Sequence, residues 1–118
     1  SEASRREAVA IGRLSEASDF DAVALGDGST ASDRNAVALG RESTASADDA
    51  VAIGSNADAP NPDEATFGNL NGQELDVNVT GNLTVHQNTD LKGNVNVDGG
   101  SKLDASNGKF VLPTGDVY

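Results

Sequence analysis

The stretch that decides the fold is A-V-A-I-G at residues 8–12. It returns as A-V-A-L-G at 22–26 and 36–40, as A-V-A-I-G at 50–54, and in degenerate form as E-A-T-F-G at 64–68. The closing glycines, Gly12, Gly26, Gly40, Gly54 and Gly68, stand 14 residues apart throughout. A second column keeps the same step: Ala3, Ala17, Ala31, Ala45 and Ala59, the first four followed by Ser4, Ser18, Ser32 and Ser46, the last by Pro60. A fixed period without insertions marks stacked units that each touch only their neighbours.

Within one unit, alternation places Val9 and Ile11 on one face of a short strand and Ala8 and Ala10 on the other. A helix is the competing assignment, because Ala and Leu favour it. It fails because Gly ends every motif and β-branched Val sits in each intact copy, while two polar, turn-like stretches per 14 residues leave no room for a helix of ordinary length. The unit therefore reads as two short strands, the stronger at A-V-A-I/L-G and the weaker around S-x-A-S. Tight turns join them at the glycine and at the triplets 19–21, 33–35 and 47–49. Stacked at the strand spacing of about 4.8 Å, such units form a thin parallel roll. One Val and one Ile or Leu per unit is little apolar surface to set against the entropy of ordering its backbone. A homo-oligomer is the expected remedy, with the small alanine face allowing another copy to approach closely and rotational symmetry about a fibre axis closing the assembly.

Composition points the same way. In 118 residues the only aromatics are Phe20, Phe67, Phe110 and Tyr118, too few for an ordinary globular core. Eight basic against nineteen acidic residues give a net charge of −11, which argues against binding a nucleic-acid backbone. The same acidic bias suits concentrated salt, where self-repulsion is screened within about 3 Å at 1 M. There is no Cys, no initiator Met and no apolar run approaching about 18 residues. A fragment or processed product is expected, with any membrane anchor outside it and no membrane insertion by this stretch.

The columns A-V-A-I/L-G and S-x-A-S resemble the YadA-like head repeats of trimeric autotransporter adhesins, modules also similar to parts of viral tail fibres. The resemblance covers about residues 1–68. It implies an all-β, left-handed parallel β-roll in an intertwined homotrimer. It also implies that Val9, Ile11, Val23, Leu25, Val37, Leu39, Val51 and Ile53 fill the roll interiors, with Phe67 in the degenerate fifth unit. No neck motif, heptad pattern or membrane anchor follows the head, a departure that turns the expected owner from a bacterial adhesin toward a viral fibre.

From Asn69 the register is lost, and 69–74, containing Asn71-Gly72, reads as a joint. Residues 75–118 carry short alternating runs at 75–79, 82–85, 94–97, 101–106 and 109–113, separated by Gly or Asn turns. This half resembles the intertwined triple-stranded β stem of tail fibres.

Candidate chemistry is sparse. His86 is the single histidine and reads as a solvated turn residue, having no second His or Cys to share a metal. Asp48-Asp49 and the Asp19/Asp21 pair could be imagined as glycosidase carboxylates, but they fall in repeat turns without an aromatic platform, so no catalytic residue is assigned. The column Glu7, Asp21, Asn35, Asp49, Asp63 is either a solvated acidic face or a cation stripe; no calcium-loop motif is present, and no metal or cofactor is assigned. The column Arg13, Asp27, Arg41 alternates in sign and should support stacking. Two N-glycosylation triplets occur, Asn78-Val79-Thr80 and Asn82-Leu83-Thr84.

The expected function is therefore a trimeric extracellular fibre or spike, on a virion or a cell surface, that attaches to a host-surface receptor or glycan. Its other partners would be fibre, tail or capsid proteins. A passive spacer or decoration is the alternative, and a glycan-cleaving fibre a weaker one.

Overall fold

In the computed structural model, residues 1–68, 76–93 and 95 are described. Residues 1–68 form a parallel β-solenoid of five coils, and no helix occurs among the described residues. The chain divides into two compact units, Ser1–Asn78 and Val79–Tyr118.

Each coil contributes two strands. One series, β1 (Glu2–Ala3), β3 (Glu16–Ala17), β5 (Thr30–Ala31), β7 (Thr44–Ala45) and β9 (Asp58–Ala59), stacks in parallel as one sheet. The other, β2 (Val9–Ile11), β4 (Val23–Leu25), β6 (Val37–Leu39), β8 (Val51–Ile53) and β10 (Ala65–Phe67), stacks as the second. Pairing is in register over the 14-residue period, so Val23 opposes Val9 and Val37, and Leu25 opposes Ile11 and Leu39. Backbone bonds carry the ladder through the corners as well: the amide of Gly28 donates to Arg13 O at 2.8 Å, and that of Asn35 to Phe20 O at 3.0 Å.

The corners fall every seven residues. Positive φ values of 56–68° occur at Glu7, Leu14, Asp21, Gly28, Asn35, Glu42, Asp49, Asn56 and Asp63, so one coil is two similar halves. In each corner the residue after the left-handed one donates its amide three residues back, as Ala22 does to Asp19 O at 3.3 Å and Ala36 to Asp33 O at 3.2 Å. Asp and Asn recur at these positions because short polar side chains tolerate the left-handed conformation best after glycine.

The interior reverses the expected assignment of faces. The side chains enclosed by the two sheets are Ala17, Ala22, Ala24, Ala31, Ala36, Ala38, Ala45, Ala50, Ala52, Ala57 and Ala59, with Ser15, Ser29 and Ser43. Val9, Ile11, Val23, Leu25, Val37, Leu39, Val51 and Ile53 do not fill the roll; they point outward, and the alanine face is not free to receive another copy. The cause is geometric. With seven residues per half-coil the sheets lie too near each other to admit branched side chains, whereas ordinary sheet stacking leaves about 10 Å for them. The buried serines are satisfied: Ser15, Ser29 and Ser43 donate their hydroxyls to Gly12, Gly26 and Gly40 carbonyls at 2.9, 2.9 and 2.8 Å.

Gly12, Gly26 and Gly40 show why the corner opens on glycine. Their φ values are 127–135°. A Cβ on Gly26 would lie 2.4 Å from Gly40 O and 2.6 Å from its carbonyl carbon, backbone that cannot yield without opening the stack.

Among the described residues no strand follows Phe67. The expected strands at 75–79, described from 76, and at 82–85 are not formed within one chain, and Val77, Val79, Leu83 and Val85 are exposed there. A strand exists through its partner, and these segments have none among the described residues. The runs at 94–97, apart from Val95, and at 101–106 and 109–113 lie outside the described residues.

Candidate interaction surface

Alternation within each three-residue strand turns the middle residue inward, alanine in β2, β4, β6 and β8 and Thr66 in β10, and its two flanking residues outward. The ladder therefore aligns two apolar columns on the second sheet. One is Val9, Val23, Val37, Val51 and Ala65; the other is Ile11, Leu25, Leu39, Ile53 and Phe67. Neighbouring coils shield the central members to half-buried, while Val9, Ile11 and Phe67 at the two ends are 40, 61 and 54% exposed. A continuous apolar stripe crossing every coil of a protein this acidic is unlike the scattered single hydrophobes of an ordinary surface.

The opposite sheet presents different chemistry. Its outward column is Glu2, Glu16, Thr30, Thr44 and Asp58, flanked by the repeat serines. Ser4 and Ser18 donate to Glu2 and Glu16 carboxylates at 2.9 and 2.7 Å. The roll is thus two-sided, apolar on one broad face and hydroxyl- and carboxylate-bearing on the other.

The corners hold the remaining charges. Arg13 pairs with Asp27 in the next coil at 3.5 Å and Arg34 with Asp48 at 3.3 Å, both exposed and each worth no more than about 1 kcal/mol. The alternating column is completed differently from expectation: Arg41 pairs within its own coil, with Glu42 at 3.6 Å. Arg5 lies over the Phe20 ring at 5.8 Å from its centroid.

The acidic column Glu7, Asp21, Asn35, Asp49, Asp63 lies along one corner, exposed, every member in the left-handed conformation. Asn35 donates to Asp49 Oδ1 at 2.8 Å. Backbone geometry accounts for these residues, and among the described residues no three potential ligands gather around a metal position. Asp19 accepts the amide of Phe20 at 2.7 Å, and Asp48 is held by Arg34, so the imagined carboxylate pairs are corner residues with local partners. His86 is exposed.

The outward stripe is what the reading of the sequence missed. The available signal was a seven-residue period of small residues: Ser or Ala at 15, 22, 29, 36, 43, 50 and 57, and Ala at 17, 24, 31, 38, 45, 52 and 59. Two small residues per half-coil is all that a roll this narrow encloses.

Three overlapping windows, 3–29, 17–43 and 34–57, match the family model of the YadA head domain repeat, taken as two copies. Residues 3–57 match the YadA head domain repeat. The first two windows begin one coil apart, so the YadA head repeat follows the same step as the solenoid. The match ends before the fifth coil, where the YadA motif decays to E-A-T-F-G. No curated protein and no solved structure matches the chain.

Proposed function

We propose that this chain is one protomer of a homotrimeric, extracellular adhesive fibre, in which the YadA head repeats form a rigid shaft that presents contacts to a host surface. The observation that carries the reading is the outward apolar stripe through all five coils. A roll whose interior is alanine and serine has its large hydrophobic side chains left over, and packing the stripes of three copies about one axis removes them from water. Three shafts in parallel then multiply weak contacts on the polar faces, raising the effective affinity by roughly 10² to 10⁴ over a single site.

On this reading residues 1–68 are the head, 69–74 a joint and 75–118 a stem whose strands pair between copies. The exposed Val77, Val79, Leu83 and Val85 support that division, being the apolar positions such pairing would cover. The owner is a virion tail fibre or a cell-surface adhesin, and the charge suits a salty medium.

Sedimentation of the purified chain tests the assembly. A trimer is expected for the wild type, and Leu39→Asp in the middle of the stripe should dissociate it to monomers while sparing the outward-facing corners. A wild-type monomer that stays folded at high salt would refute the proposal. Adsorption to host cells, with and without residues 1–68 replaced by a shaft of equal length, separates adhesion from spacing: lost binding supports a head that recognises the surface, and retained binding a passive shaft.

A further inference from the structure

The two glycosylation triplets have no part in the shaft, and their placement gives them one of their own. The chain holds eleven asparagines and eighteen Ser or Thr residues in 118, so one or two Asn-x-Ser/Thr triplets are unremarkable as a count. Their position is what matters. The described asparagines of the roll sit in its corners: Asn35 and Asn56 are left-handed residues locked by ladder bonds, and Asn61 precedes Pro62. None of these heads a triplet. Asn78 and Asn82 both do, four residues apart. Every described residue from Asp76 to Gly93 is exposed, and no strand forms there.

An acceptor must be drawn into the transferase as an open, extended segment with its +2 hydroxyl accessible. A coil held by a ladder bond at each corner cannot supply that, whereas 76–85 can. Alternation adds the second argument. Asn78, Thr80, Asn82 and Thr84 share even positions, while Val77, Val79, Leu83 and Val85 share odd ones. Pairing between copies through the apolar side would leave both asparagines and both threonines on the outer side. Apart from its two chain neighbours, Gly81 between the triplets has no described residue within 4 Å of where a Cβ would stand.

We propose that Asn78 and Asn82 are N-glycan attachment sites, in the segment that follows the head repeats in sequence. The proposal rests on the extracellular reading above. In the reaction, Nδ2 of the asparagine bonds to the anomeric carbon of an oligosaccharide carried on a polyprenyl diphosphate. The anomeric C–O bond to the diphosphate breaks, the amide proton passes to a base of the transferase, and the lipid diphosphate leaves.

The test uses the full chain. Incubated with an N-oligosaccharyltransferase and a polyprenyl-diphosphate oligosaccharide, it should gain two glycans by intact mass. Asn78→Gln, Asn82→Gln, Thr80→Ala and Thr84→Ala should each leave one, and Asn88→Gln should leave two. No transfer to the wild type overturns the proposal. Protein recovered from the outside of its source cells or particles should carry the same two additions. Bare polypeptide there overturns the glycans and leaves the fibre reading standing, while recovery from the cytosol alone overturns both.

Discussion

At the scale of the residue, the tightest constraint is the glycine that opens every second corner. At Gly40 a Cβ would stand 2.5 Å from Gly54 O with φ at 133°, so two independent costs, contact and conformation, fall on the same atom. Gly40→Ala should lower stability by on the order of 3 kcal/mol, read as a fall in the thermal midpoint of the far-ultraviolet signal. An unchanged midpoint would mean that successive coils are spaced more widely than the ladder places them. Gly28 makes a control, because a Cβ there would meet the flexible Glu42 side chain at 3.4 Å and the Glu42 Cα no nearer than 4.0 Å, and its φ of 68° lies close to the 56–64° of non-glycine residues in equivalent corners. Gly28→Asn should cost far less.

At the scale of the element, the strands β2, β4, β6 and β8 each sort their side chains by size, with the alanine inside. Ala38 is fully enclosed, while Val37 beside it faces outward. Ala38→Val should therefore destabilise the fold by about 1 to 3 kcal/mol through overpacking, and Val37→Ala should leave the coil intact but weaken association. Urea unfolding and sedimentation of the two variants form a crossed pair, and the reverse pattern would put the valines back inside. The period, the strand positions and the glycine corners were legible because each leaves a residue type that nothing else explains. The direction of the faces was not. Alternation separates Val37 and Leu39 from Ala38 without saying which side closes, and the usual preference for burying the larger residue is overridden by the distance between sheets. Nor could the runs at 75–79 and 82–85 declare their partners, since alternation is the same whether a strand pairs within a chain or between copies.

At the scale of the whole molecule, charge opposes what the apolar stripe favours. In the proposed trimer, three chains at −11 each would bring 3 × −11 = −33 onto one axis. Screening reaches about 3 Å at 1 M salt and about 30 Å at 0.01 M. Lowering salt between these limits should reduce the trimer's thermal midpoint and raise its dissociation, measured by sedimentation across the series. A trimer indifferent to salt would show that the acidic faces are set too far apart to feel one another. The in-register stack carries a last implication, for heredity. Because four near-identical repeats meet through the same ladder, unequal exchange between neighbouring repeats of the gene would add or remove whole coils and still encode a protein that folds. A lineage could thus lengthen or shorten its shaft in one generation without inventing a new sequence.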